Sequence, residues 1–289
     1  MTNAVTQSKP KFSVVIQSDA YKRLINNTLG DPNKATRFIA SISSAVATNS
    51  QLQECTPQSI ISGALVGEAL GLSPSPQLGQ YYLVGYKNKN TGTTEAVFTM
   101  GYKGYISMLI KSGLYKDLDA FEIHEGEFKG RDKETGKFKF EFIEDEVARL
   151  SKPVIGYMAY FVMNNGFTKT VYMSKEEMLN HADTYSKAFN KKDYEKLLAG
   201  QIPEKDMWKY SSFWYKDFDS QSLKTVLRRL ISKWGILSTE IQNAYEKDTS
   251  IIREDGSCEY VDNPQTNDDI KEAVTVEVQD TPKTLDDID

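Results

Sequence analysis

The strongest constraint on the fold lies at residues 153–173, where PVIGYMAYFVM and FTKTVYM flank Asn164, Asn165 and Gly166. Two runs rich in β-branched and aromatic residues about an Asn-Gly pair predict an antiparallel hairpin, because glycine accepts the positive φ of a tight turn. The ten residues from 154 to 163 are also the longest uncharged apolar run in the chain. A bilayer crossing needs about twice that length, so an integral membrane protein is not expected.

Other local signals agree with a mixed architecture. QYYLVGYK and TEAVFTM read as two strands joined by NKNTGT, and residues 121–143 read as a hairpin around DKETGK with Phe138, Phe140 and Phe142 alternating. KATRFIASISSAVAT places Phe38, Ile42, Ala45 and Val46 on one helical stripe. Thr56 and Pro57 open a further helix that stops at Gly71, and residues 101–113 form a short one. Ser174 with Glu177 makes a capping box for the helices that follow. Helices, then antiparallel hairpins forming a small sheet, then helices define an α+β fold, with the C-terminal helices expected to form a basic groove. No βαβ alternation is present.

Charge divides the chain. Residues 246–289 hold 14 Asp and Glu against 4 Lys and Arg, which leaves 31 bases and 26 acids for residues 1–245. The expected organisation is an N-terminal arm and lead-in over 1–33, a single domain over 34–245, and an acidic, mostly disordered tail over 246–289. A basic body fits a polyanionic partner. Cys55 and Cys258 are too few for a zinc site and fit a reducing compartment, and the N-terminus has no secretory pattern, so a cytoplasmic location is expected. His124 and His181 read as surface or capping residues.

The most informative stretch is SQSLKTVLRRLISKW, residues 220–234. Leu223, Val226, Leu227, Leu230, Ile231 and Trp234 share an apolar arc. The opposite arc carries Lys224, Thr225, Arg228, Arg229, Ser232 and Lys233 with no acid, a pattern suited to phosphates; Gln221, Ser222 and Thr225 add neutral hydrogen-bonding groups. Upstream, Lys187, Lys191 and Lys192 accompany Phe189, and Lys216 follows Phe213, Trp214 and Tyr215. Cations beside aromatic rings suit single strands, although three adjacent aromatics read first as core. In GYKGYISMLIKSG, Gly101 and Gly104 permit close backbone approach around Lys103, with Lys111 two turns on. No GxxxxGK[ST] or GxGxxG motif occurs, so nucleotide hydrolysis is not expected.

GLSPSPQLGQYYLVGY, AVFTMGYKGYISMLIKSG and FWYKDFDSQSLKTVLRRLISKW, in this order over roughly residues 35–245, resemble the RecT-type single-strand annealing proteins of phages and prophages. The resemblance implies ATP-independent binding and annealing of single-stranded DNA in phage homologous recombination, without enzymatic activity, within a bacterial host. It implies action as an oligomer along single strands and nascent duplex, beside a phage exonuclease and a host single-strand DNA-binding protein. Lys103, Lys111, Lys224, Arg228 and Arg229 carry over as DNA-binding candidates. The N-terminal helices (Phe38, Ile42, Ile60, Leu65) or the 80–100 hairpin are the expected neighbour contacts, with core as the competing role.

The rival class is a Mg²⁺-dependent nuclease built on Asp119, Glu127 and Lys129. No cofactor is required for annealing, and Mg²⁺ bound by these acids would serve structure or modulate pairing.

Overall fold

The structure, a computed structural model, describes residues 10–87, 92–186 and 188–261. Five helices come first: α1 Phe12–Val15, α2 Asp19–Leu29, α3 Pro32–Ala47, α4 Ser50–Glu54 and α5 Pro57–Ala69. Asp31 starts α3 by accepting from the Asn33 N–H at 2.8 Å, with Pro32 at the first helical position. Phe38, Ile42 and Ile60 are buried in the core, and half-buried Leu65 packs against it. The buried residues of these stripes therefore serve the core of the subunit. The lead-in before residue 34 is folded as well, since Ile16 and Ile25 are fully buried.

The pattern then changes to strands. β1 Tyr81–Lys87 and β2 Thr94–Met100 pair antiparallel with Tyr81 opposite Met100, and α6 Tyr102–Lys111 follows. Next come β3 Tyr115–His124, β4 Phe128–Arg131, β5 Phe138–Phe140, α7 Glu146–Leu150, β6 Val154–Met163 and β7 Thr168–Ser174. β6 and β7 are the hairpin read from sequence, with Ala159 opposite Val171. The 121–143 segment departs from expectation. β3 pairs with β6, placing Ala120 opposite Ala159, and only β4 and β5 form the small hairpin.

The last part holds α8 Lys175–Tyr185, α9 Lys191–Leu198, a 3-10 segment Glu204–Tyr210, α10 Phe213–Lys216, α11 Phe218–Trp234, α12 Thr239–Lys247, β8 Ser250–Ile252 and β9 Cys258–Tyr260. The Ser174 capping box is complete: its hydroxyl accepts from the Glu177 N–H, and the Glu177 carboxylate accepts from the Ser174 N–H at 2.8 Å. The sheets run β1-β2-β8-β9, β3-β6-β7 and β4-β5. The fold thus continues past residue 245, where a disordered tail is expected, because Ile251 and Ile252 are buried and β8 pairs with β2. The expected tail from 262 onward, the 88–91 part of the NKNTGT turn and Lys187 lie outside the described residues.

α11 joins the halves. Leu223, Val226, Leu227, Leu230 and Ile231 are buried and belong to one apolar core with Phe98, Tyr105, Tyr157 and Phe161. Trp234, expected on that stripe, is 38% exposed, with the Lys169 ammonium 4.0 Å from its ring centroid. Gly101 and Gly104 serve close approach of the protein to itself. A Cβ on Gly101 would lie 2.0 Å from the Gly79 carbonyl oxygen, and one on Gly104 would lie 2.1 Å from that of Gln80. Among the described residues no helix is long and apolar enough to cross a membrane.

Candidate nucleic-acid interface

A cleft of about 400 Å³ opens between the β1-β2-β8-β9 sheet and the helices α8, α10 and α11. α11 is set by Asp217, whose carboxylate accepts from the Ser220 N–H at 3.2 Å. The Tyr157 hydroxyl donates to Asp219 at 2.5 Å, fixing the first turn against β6. From this helix Gln221, Lys224, Thr225 and Arg228 reach the cleft; the opposite wall includes Tyr86, Thr99 and Tyr260, and Phe213 and Trp214 stand at its side.

At the floor, the Asp248 carboxylate is wholly buried. One oxygen accepts from the Met100 N–H at 2.8 Å and the Lys224 ammonium at 2.9 Å. The other accepts from the Tyr105 hydroxyl at 3.1 Å and the Arg228 guanidinium at 2.9 Å. Removing such ions from water costs several kcal/mol each, and their attraction offsets this only where geometry and hydrogen bonds are satisfied, as here. Burial opposes the charged carboxylate, but Lys224 and Arg228 outweigh it and hold Asp248 below the usual Asp range. Burial pushes the hydroxyls of Tyr105 and Tyr245 upward, with Asp248 adding to both. The Arg228 guanidinium also stacks 4.8 Å from the Tyr245 ring centroid, and the Tyr245 hydroxyl donates to the Arg228 carbonyl at 2.9 Å. Two cations with one carboxylate leave a fixed excess of positive charge facing the cleft.

Beside this cluster Thr249 has φ of 64°, a left-handed conformation disfavoured for a β-branched residue, and its N–H donates to the Phe98 carbonyl at 2.8 Å. That strained residue lets Asp248 turn inward while the chain enters β8.

Of the thirteen residues expected to contact DNA, the twelve that the structure describes do not all line the cleft. Gln221, Lys224, Thr225 and Arg228 line the cleft, but Lys224 is only 6% exposed, so the acid-free, open face expected for α11 is corrected. Its counter-ion arrives 20 and 24 positions later in the chain. Ser222 is fully buried, and its hydroxyl donates to the Phe218 carbonyl at 2.8 Å. Phe189 is buried 5.0 Å from Tyr215 and 5.9 Å from Trp214, centroid to centroid, so it supports the aromatic cluster instead of offering a stacking face. Exposed Arg229 turns toward β7, 3.5 Å from the Met173 sulfur. Lys191 pairs with Glu176 and Asn180. Lys192 and Lys216 are exposed outside the cleft lining, as is Lys103, whose ammonium lies 5.9 Å from the Tyr102 ring centroid. Lys111 donates to the Gly71 carbonyl at 2.6 Å beyond the end of α5.

Asp248 and the aromatic edge formed with Tyr86 and Tyr260 are absent from the sequence-based candidate set. Asp248 sits within the acidic count of the C-terminal segment, so composition conceals it. His181 lines the cleft, and buried His124 has its Nδ1 2.8 Å from the Lys152 carbonyl, which corrects its surface role.

The proposed nuclease triad is not assembled as a site. Glu127 is fully buried and accepts from Arg149 at 2.8 Å and from the N–H groups of His124 and Ile143. Burial works against its charge, yet these donors hold its pKa below the usual range. Lys129 pairs with Glu141 at 3.1 Å, and Asp119 accepts from the Ala120 N–H at 2.7 Å. Among the described residues no group of three or more His, Cys, Asp or Glu is placed to hold a metal ion.

Helices and antiparallel sheets enclosing this cleft define an α+β protein with cations anchored at the cleft floor. Comparison with known sequences makes the class specific: the sequence profile of the RecT family matches residues 36–262. The chain belongs to the RecT family, whose members are DNA-binding proteins of recombination. It is 35% identical over 271 residues to the uncharacterized protein YqaK of Bacillus subtilis (strain 168), covering 92% of this chain and 84% of that one. It is 27% identical over 222 residues to Protein RecT of Escherichia coli (strain K12), covering 74% and 71% respectively.

Proposed function

We propose that this chain binds single-stranded DNA in the α11 cleft and anneals complementary strands without ATP, acting as an oligomer along the DNA. The observation that carries the reading is the placement of Lys224 and Arg228, fixed by Asp248 at the floor of an aromatic-edged cleft. Complementary strands repel through their phosphates, and neutralising that charge removes the main barrier to encounter. Lys224 and Arg228 are already oriented, so little side-chain entropy is lost when a phosphate arrives. Phe213, Trp214, Tyr86 and Tyr260 line the cleft, and a base stacked on such a ring contributes about 1–3 kcal/mol. Contacts to backbone and ring faces carry little sequence information, leaving base pairing to select the partner strand.

One cleft presents few cations, so each subunit binds weakly, and affinity accumulates when many subunits share one strand. The annealing unit comprises the fold through residue 261. Lys103, Lys111, Lys191, Lys192, Lys216 and Arg229 contribute to a wider electrostatic field along which strand and nascent duplex lie. Mg²⁺ modulates pairing through phosphate screening and is not required. The setting is the cytoplasm of a bacterial host, where a phage exonuclease supplies the strands and the host single-strand DNA-binding protein is a further partner.

The test is annealing of two labelled complementary oligonucleotides without nucleotide, with and without Mg²⁺. Protein-dependent duplex with intact strands is the expected result. Strands shortened only with Mg²⁺ would replace this reading with the nuclease.

A further inference from the structure

The described chain ends in the wall of the cleft. Tyr260 and Val261, its last two residues, both line it, and Tyr260 is held by pairing with Ser250 of β8. The sequence continues through residues 262–289 with nine Asp or Glu and two Lys. The cleft lining offers Lys224 and Arg228 against the single carboxylate of Asp248, and Lys209 at the rim is paired with Asp206 at 2.8 Å. A strongly acidic segment is therefore joined covalently to the rim of a cleft with positive excess.

We propose that residues 262–289 seat in this cleft as an internal acidic occupant and are displaced by single-stranded DNA. The seating rests on the cleft and the charge pattern; the displacement rests also on the proposed strand site. Attachment at the rim makes the encounter intramolecular, with an effective concentration on the order of millimolar for a short connection. Reach is not limiting, because an extended residue spans about 3.3–3.6 Å. Carboxylates accept the same hydrogen bonds from Lys and Arg that phosphates accept. The occupant is monovalent, whereas a long strand engages clefts on successive subunits. Isolated subunits and short nucleic acids thus favour the seated segment, and a long single strand removes it. The device raises the threshold length for binding and leaves a loaded strand undisturbed.

The experiment uses the full chain with photoreactive benzoyl-phenylalanine in place of Leu285, and a second full chain in which the nine acids of 262–289 become Asn or Gln. Irradiation of the first chain, dilute and without DNA, is expected to cross-link residue 285 to segment 209–228 or 245–261 of the same molecule. A long oligonucleotide is expected to abolish those cross-links. The neutralised chain is expected to bind a short oligonucleotide about tenfold more tightly at low salt, with the advantage fading as salt screens the charge. Cross-links outside the cleft, or only between two chains, overturn the proposal. Tighter binding by the neutralised chain without cleft cross-links in the first also overturns it, since the acids then act through their general field. Cleft cross-links that persist while a long strand is bound support the seating and instead overturn the strand site.

Discussion

The Asp248 carboxylate lies 2.9 Å from the Lys224 ammonium, and both are buried, although 24 positions separate them. The contact joins the end of α12 to the middle of α11, and Arg228 on the next turn closes on the other oxygen. The cationic face of the helix is therefore organised by an acid.

Asp248→Asn leaves two cations without their counter-charge. Breaking a buried ion pair by removing one partner costs about 3–5 kcal/mol, and a loss of that size is expected in urea unfolding. An unchanged midpoint would show that the cluster contributes nothing to folding.

Acid should expose the same carboxylate. Its folded pKa is lowered, so its contribution is fully present above the unfolded value near ~3.9 and is lost as pH falls through the lower folded value. Urea midpoints measured from about pH 6 to about pH 2 should fall more steeply for the wild type than for Asp248→Asn. Parallel profiles would contradict the assignment.

Arg228 and Arg229 are adjacent in sequence but diverge in space, one to Asp248 and the other toward Met173. Arg228→Gln should weaken binding to all single-stranded sequences and lower the salt slope by about 1. Arg229→Gln should change both by much less. Equal effects from the two variants would place the strand outside the cleft.

Gly104→Ala tests the close approach of α6 to the segment before β1. The added methyl would fall 2.1 Å from the Gln80 carbonyl oxygen, a backbone atom that cannot step aside as a flexible side chain would. A loss of about 3 kcal/mol or more is expected in urea unfolding, at the severe end of single substitutions. Wild-type stability would mean that the strand and helix separate readily.

The two thiols should react at different rates. Burial, with Glu54 and Glu95 adding to it, pushes the Cys55 thiol up to about 12, while Cys258 is half-buried on β9. In the native protein at neutral pH, Cys55 should react with a thiol reagent at least about a hundredfold more slowly than an ordinary thiol of pKa ~8.5. The Cys55→Ser chain serves to assign the fast phase to Cys258.

Local grammar was most legible where its partner was near in sequence. The Asn165-Gly166 hairpin, the Ser174–Glu177 capping box and the apolar arc of α11 each depend on neighbours within one turn or one strand. Gly101 and Gly104 revealed a need for close approach, but not that the approaching backbone is residues 79 and 80. Glu127 reads as a ligand in a D…E-x-K pattern, whereas Arg149, 22 positions on, already occupies it. Asp248 was hidden for the same reason: its role depends on Lys224, Arg228, Tyr105 and Met100, none of which is close to it in sequence.

The cleft draws its floor and outer wall from the last described segment, with Asp248, Thr249, Tyr260 and Val261 lining it. During synthesis, α11 leaves the ribosome before the residues that neutralise and cover it. A nascent chain that has passed Trp234 but not Val261 carries Lys224 and Arg228 without Asp248 and without β8 and β9. The cleft is therefore incomplete until Val261 has been made, and a chain stopped before that residue lacks its floor and outer wall.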